Sequence, residues 1–186
     1  MVNSLIEAER SVADFFGSLS PEEFVFRDGS AWNPAEHLSH LNTAISAVAR
    51  GFGIPRWILR LRFGRSKRPS RDFAIVRQEY LARLSAGAVA RGAFVPPRED
   101  PLGDDRVKRQ RDLLERWQRV NARLRNAVET WPQRDLDRLQ LPHPLLGKVT
   151  AREMLFVMMY HDHHHIAGAK KRLPRFSAST RDGSFQ

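Results

Sequence analysis

The chain has 186 residues, no cysteine and a formal net charge of +10 at pH 7. This length suits one domain with a substantial core. The lack of cysteine excludes disulfides, thiolate metal ligands and a cysteine nucleophile. The N-terminus carries early acidic residues and no long apolar run. We therefore expect neither a signal peptide nor a transmembrane helix, and a cytoplasmic location.

The positive charge is concentrated in two stretches. Between His37 and Arg71 the chain has no acidic residue, and basic residues are dense from Arg56 onward. A second cluster lies between Lys170 and Arg175. Such patches attract nucleic acid, anionic lipid or an anionic substrate. The same composition also fits a basic surface that is merely solvated.

Helical spacing and start signals define the first half of the chain. Apolar residues recur at helical spacing over Val2–Leu19 and predict a first helix. A short turn follows at Ser20-Pro21. Asn33 is a cap, a proline follows it, and Glu36 completes a capping box, so a second helix is predicted from there to about Arg50.

The segment Arg56–Arg71 mixes bulky apolar and basic residues. It fits a helix on a membrane surface, but its length favours a short bridging helix packed on the rest of the protein. A third helix is predicted over 71–86, followed by a long connection over 87–103 and a fourth helix over 104–130.

The last part of the chain is predicted to be one long helix after an irregular stretch. Residues 135–141 read as irregular and residues 142–149 as a short extended or turn segment. Thr150 and Glu153 form a capping box that opens a helix to about Arg172. The polar tail, residues 174–186, is expected to be disordered.

These elements contain no credible strand pair, no glycine-rich phosphate loop and no internal repeat. We therefore predict an all-α fold: an up-and-down four-helix bundle with one long connection plus a short extra helix. Residues 1–173 are expected to form this single domain.

Four of the seven histidines occur within residues 161–165. On a helix His161 and His165 lie about 40° apart, one turn from each other. They share a stripe with apolar residues, so two imidazoles facing the interior could bind one divalent cation. His163 points to the opposite side and His164 lies at the margin.

A third ligand must come from the remaining histidines, which are His37, His40 and His143. On the second helix both His37 and His40 could reach the last helix, and the helical wheel slightly favours His37. A buried histidine can equally be a hydrogen-bonded structural residue. Three histidines with an open position are typical of catalytic zinc, although imidazole also binds nickel, iron and copper. Asp162 or Glu36 could orient a ligand imidazole.

Two motifs resemble those of the DinB-like (DinB/YfiT-like) superfamily. The first is the run from Trp32 to Leu41, and the second combines residues 144–150, Glu153 and residues 160–165. The likeness extends to about residue 173. It implies a four-helix bundle and a metal bound by His40, His161 and His165, because the family's second-helix ligand comes eight residues after the tryptophan.

The resemblance also has limits and implications for activity. Many members have a glutamine shortly after the last histidine, where this chain has Ile166–Ala169. The family pattern does not explain the basic segment 56–71. Characterised members are thiol-dependent enzymes, such as bacillithiol transferases and a mycothiol-dependent isomerase, and others are assigned as metal-dependent hydrolases. DNA-damage induction gave the family its name and does not imply DNA binding.

Two functions are therefore considered. The first is a metal-dependent enzyme, a thiol S-transferase or a hydrolase, whose metal activates a thiolate or water. Its cofactor would be a divalent ion, zinc or nickel before iron or manganese, with a low-molecular-weight thiol as co-substrate. Its partners would be a small-molecule substrate and a second copy of the chain in a homodimer, without nucleic acid or membrane. The alternative is a binding protein whose segment 56–71 contacts nucleic acid or an anionic membrane. The sequence does not identify catalytic residues.

Overall fold

The computed structural model of the chain describes residues 1–100 and 102–173, and the tail predicted to be disordered lies outside this range. The described residues form eight α-helices, a 3-10 turn at Gly92–Phe94 and one β-hairpin, so the predicted all-α fold is confirmed. The helices are α1 Val2–Gly17, α2 Pro21–Val25, α3 Pro34–Gly53, α4 Arg56–Phe63, α5 Phe73–Ser85, α6 Asp105–Glu129, α7 Gln133–Arg138 and α8 Ala151–Lys170. The strands are β1 Gln140–His143 and β2 Gly147–Thr150.

The four longest helices form the bundle. Both α1 and α3 pack against both α6 and α8, and the connection from α3 to α6 carries α4 and α5. Helix α1 buries Leu5, Val12 and Phe16, one turn or two apart along a single face. Trp117 of α6 is fully buried, and its indole Nε1 donates to the backbone oxygen of Glu9 at 3.1 Å. The core therefore lies between these four helices.

Capping boxes set where the two site-bearing helices begin. The side chain of Asn33 accepts from the backbone N–H of Glu36 at 2.9 Å, and Glu36 accepts from the N–H of Asn33 at 3.0 Å. Thr150 and Glu153 make the same pair of bonds at 3.2 and 3.1 Å. Because each box satisfies N–H groups that the helix leaves unpaired, it fixes the first helical turn and hence the faces of α3 and α8.

The expectation of no strand pair is wrong. Strands β1 and β2 pair antiparallel with His143 opposite Gly147, which has a φ of 69° that favours glycine. Pro142 and the shortness of both strands hide the alternation of apolar and polar residues that is typical of a strand. Leu141 and Val149 are nevertheless buried as a cross-strand pair. The hairpin is stabilised by this tertiary burial, because an isolated pair of four-residue strands would be marginal.

The stretch predicted to be irregular is partly helical. Helix α7 covers most of it and begins directly after Pro132. Leu136 of α7 is 1% exposed, so packing of this leucine under α8 explains a helix too short to form alone.

The basic segment contains the short helix that its length favoured. Helix α4 buries Leu59 and packs against β1, while Trp57 and Leu61 remain exposed. Arg68 and Arg71 bind the buried carboxylate of Glu153 at the start of α8. Part of the positive charge therefore stabilises the protein itself. Among the described residues, no helix combines the length and apolar character needed to cross a membrane.

Candidate metal centre

Histidines of α3 and α8 meet in the interior of the bundle. Nε2 of His40 lies 2.9 Å from Nε2 of His161, and Nε2 of His165 lies 3.1 Å from the same atom. All three residues are buried, and a nitrogen from each lies within 4.8 Å of the others. The structure thus brings together the three histidines that the family resemblance implied.

A backbone carbonyl fixes the tautomer of His40. Its Nδ1 lies 2.7 Å from the carbonyl oxygen of Phe94, in the 3-10 turn after α5. A carbonyl only accepts, so Nδ1 must carry the proton and the lone pair of Nε2 must face His161. A metal ion would bind the Nε2 nitrogen through this lone pair. The carbonyl orients the ring in the same way as hydrogen-bond acceptors that contact the ligands of known metal sites.

His37 occupies the corresponding position behind His165. The Nδ1 atoms of the two rings lie 2.8 Å apart, so one must donate to the other. If His165 donates, its Nε2 lone pair also faces the centre of the triad. The ring of His37 fills the space beside Gly168, where an added Cβ would lie 3.3 Å from Cε1 of His37. The helical wheel favoured His37 as ligand, but the structure places it behind a ligand candidate.

The environment keeps the triad neutral. Burial is the main cause that lowers the pKa values of His40, His161 and His165, and neighbouring imidazoles lower all three further. A cationic imidazole is disfavoured in this setting, because desolvation and like-charge repulsion act in the same direction. Neutral imidazoles are the form that binds metal, so the electrostatics suit a cation at the centre.

Two of the three nitrogen separations are close to those around a tetrahedral ion. Nitrogen ligands at about 2.0–2.1 Å from zinc lie about 3.3 Å from each other, within a few tenths of an ångström of the 2.9 and 3.1 Å separations in the triad. Because Nδ1 of His40 carries the proton, its Nε2 is a lone-pair donor directed at Nε2 of His161, and a cation between the three rings would accept this lone pair.

The triad lies in the wall of a large cavity of about 1250 Å³. Tyr80 also lines it, with its ring 6.4 Å from that of His161, and burial raises the pKa of this phenol to about 12. Trp32 stacks on His165 with ring centroids 6.0 Å apart. The site therefore combines a buried histidine cluster with room for a small molecule.

The other residues considered for the site do not join the triad. The carboxylate of Glu36 is bound by Arg27 at 2.7 and 2.9 Å and so does not orient a histidine. Among the described residues Asp162 has no hydrogen bond to a histidine, and burial raises its pKa well above the usual value. His163 is exposed as predicted, and the exposed His164 lines the cavity beside His165.

Sequence reasoning missed the two groups that orient the triad. The Phe94 carbonyl is a backbone group in a long connection, and no pattern of side chains in the sequence predicts that it contacts His40. For His37 the sequence predicts either a metal ligand or a hydrogen-bonded structural residue, but not its partner His165. The contact between the two Nδ1 atoms depends on how α3 crosses α8, which a single-helix wheel cannot show.

His143 lies in the hairpin and gives a pH-dependent contribution to folding. Its Nδ1 accepts from the backbone N–H groups of Leu145 and Leu146, both at 3.2 Å. Burial lowers its pKa to about 4. The unfolded chain takes up this proton near pH 6.5, so the stabilisation is complete above that pH and is lost as the pH falls toward 4.

We expect His143→Asn to reduce the acid-induced loss of stability. Asparagine can still accept from the turn N–H groups but does not titrate. Between pH 7.5 and 4.5 the variant should lose about 2 kcal/mol less unfolding free energy than the parent, measured by urea unfolding. The exposed His163→Asn serves as control, and identical losses in the His143 variant and the parent would contradict the assignment.

The structure is that of a helical-bundle protein with a candidate metal site, formed by a buried histidine triad in the wall of a cavity. Comparison with family models identifies the family: the model of the DinB superfamily matches residues 4–168, so the chain belongs to this superfamily. Comparisons with curated proteins and with solved structures found no match.

Proposed function

We propose that His40, His161 and His165 bind one divalent metal ion and that the protein is a metal-dependent enzyme acting on a small molecule. The observation that carries the proposal is the convergence of three neutral Nε2 atoms in the wall of a large cavity. Three protein ligands leave a coordination position for water or substrate, as in catalytic zinc sites. Zinc and nickel are the first candidates for the ion, with iron and manganese next.

A bound ion would lower the pKa of a coordinated water or thiol and so supply a nucleophile at neutral pH. The residues of the chain hold this site in shape. The Phe94 carbonyl and His37 orient His40 and His165, and Trp32 covers their rings. Tyr80 keeps its proton at neutral pH and offers a donor in the same cavity.

Two reaction classes share these ligands. In a thiol S-transferase the open position takes the thiolate of a low-molecular-weight thiol, and in a hydrolase it takes water. The binding-protein alternative has less support, because Arg56, Arg68 and Arg71 of the basic segment bind carboxylates of the protein itself.

Cobalt substitution tests the proposal and separates the two classes. Protein purified without nickel chromatography and stripped by chelator should bind one Co²⁺ per chain, with the visible spectrum of a tetrahedral or five-coordinate site. If thiolate occupies the open position, added 2-mercaptoethanol should produce an intense near-ultraviolet thiolate-to-cobalt band. Co²⁺ binding without this band would favour the water branch, and absence of stoichiometric Co²⁺ binding would refute the metal site.

A further inference from the structure

The cavity beside the histidine triad is lined by basic but not by acidic side chains. Its lining includes four arginines, Arg50, Arg83, Arg91 and Arg172, and no aspartate or glutamate. All four are exposed, and none pairs with a carboxylate within the described residues. Other arginines of the chain, such as Arg27 and Arg71, do bind carboxylates. Among residues 1–100 and 102–173, therefore, no carboxylate neutralises the cavity arginines.

Three of these arginines are neighbours, in space or along the chain, of residues at the histidine end of the cavity. Arg172 is close enough to His37 to add to the burial that lowers the pKa of this imidazole. Arg83 follows Tyr80 by one helical turn on α5, and the Tyr80 ring lies 6.4 Å from His161. Arg91 directly precedes the 3-10 turn whose Phe94 carbonyl contacts His40. Arg50, ten residues after His40 on α3, lies about 15 Å further along the helix.

The wall between these two ends is apolar. It is formed by small and sulphur-containing side chains of the facing helices, namely Ala44, Ala47 and Val48 of α3 and Met154 and Met158 of α8. Methionine adapts to ligands of irregular shape, and the small residues leave the volume open. The cavity therefore has a charged region beside the histidines and an apolar wall formed by α3 and α8.

We infer that the substrate of this site is a small amphiphilic anion. Its carboxylate, sulfonate or phosphate group binds Arg83, Arg91 and Arg172 beside the histidines, and its apolar body lies against the wall formed by α3 and α8. Guanidinium groups suit such anions because they offer paired, charge-assisted hydrogen bonds. The formal net charge of +10 adds long-range attraction for the same class of molecule. As a statement about a substrate, this inference rests on the proposed function.

A pair of fluorescent probes tests the inference on the full chain. Anilinonaphthalene sulfonate carries one negative charge, and N-phenylnaphthylamine has the same aromatic body without it. In metal-free protein we expect the anionic probe to bind at least tenfold more tightly than the neutral one. The double variant Arg83→Gln/Arg91→Gln should remove most of this preference and leave the affinity of the neutral probe unchanged, which also shows that the cavity is intact.

Matched substitutions control for net charge and position. Arg123→Gln, on the exposed side of α6, removes a charge outside the cavity lining and should not change either affinity. Arg50→Gln removes one from the far end and should matter less than Arg172→Gln. Equal affinities of the two probes for the parent, or an equal loss in Arg123→Gln, would overturn the inference. Failure of Co²⁺ to bind would refute the proposed function instead, because the probe measurements need no metal.

Discussion

Replacing His161 with alanine is expected to abolish tight metal binding. His161 is the central member of the triad, since its Nε2 lies within 3.1 Å of Nε2 of both His40 and His165. Four-ligand zinc sites bind with about 10–16 kcal/mol, or roughly 3 kcal/mol per ligand. Losing one of three ligands should therefore weaken binding by about a hundredfold or more. Competition titration with a chromophoric chelator measures this change directly.

His37 and His163 complete a graded comparison. His37→Ala should weaken metal binding by about 10–100-fold, because His165 loses the partner that orients its ring. His163→Ala should leave the affinity unchanged, because this residue is exposed on the other side of α8. His40→Ala should behave like His161→Ala.

Thermal unfolding with and without metal shows whether each variant is folded and whether metal stabilises it. A ligand that binds only the folded state raises its stability in proportion to the logarithm of concentration over Kd. The parent should gain stability on adding Zn²⁺, and the His161 and His40 variants should unfold cooperatively but gain little. Stoichiometric, tight metal binding that persists in both alanine variants would refute the triad.

Local signals in the sequence predict much of the fold and half of the site. The capping boxes at Asn33 and Thr150 are confirmed because a cap depends on residues only three positions apart. The pairing of His161 with His165 follows for the same reason, since four residues make one turn of any α-helix. Such features are decided within a single element.

The rest depends on how elements pack. The crossing of α3 and α8 decides whether His37 or His40 completes the triad with His161 and His165. A rotation of α3 about its axis by a few tens of degrees would exchange the two residues. The β-hairpin forms because Leu141 and Val149 find a buried surface, which four-residue strands do not reveal. The sequence leaves open whether the basic segment 56–71 contacts a partner, and the ion pairs of Arg68 and Arg71 with Glu153 depend on tertiary packing that the sequence does not reveal.

Replacing Glu153 with glutamine is expected to cost about 3 kcal/mol of unfolding free energy. The carboxylate is fully buried and accepts from Arg68 at 2.7 Å, from three nitrogens of Arg71 at 2.8–3.1 Å and from the backbone of Thr150 at 3.1 Å. Glutamine keeps the shape but removes the charge that compensates both guanidinium groups, and its NH₂ group faces donors.

The pH dependence of the unfolding free energy shows that the loss in Glu153→Gln comes from the charge of this carboxylate. Burial alone would raise the pKa of Glu153, but hydrogen bonds from Arg71 and Arg68 outweigh it and hold the pKa at about 2. The stabilisation is therefore complete above about pH 4.5 and is lost as the pH falls toward 2. Urea unfolding should show a gap between parent and Glu153→Gln that is full at pH 7 and narrows below pH 4.5.

Glu79 provides the matched control, because it also pairs with Arg71 but is nearly half exposed. Glu79→Gln should cost less than about 1 kcal/mol, since solvent screens an exposed ion pair. Similar losses in the two variants would mean that burial of Glu153 adds nothing. A larger loss at Glu153 would show that segment 68–71 fixes the start of α8, the helix that carries His161 and His165.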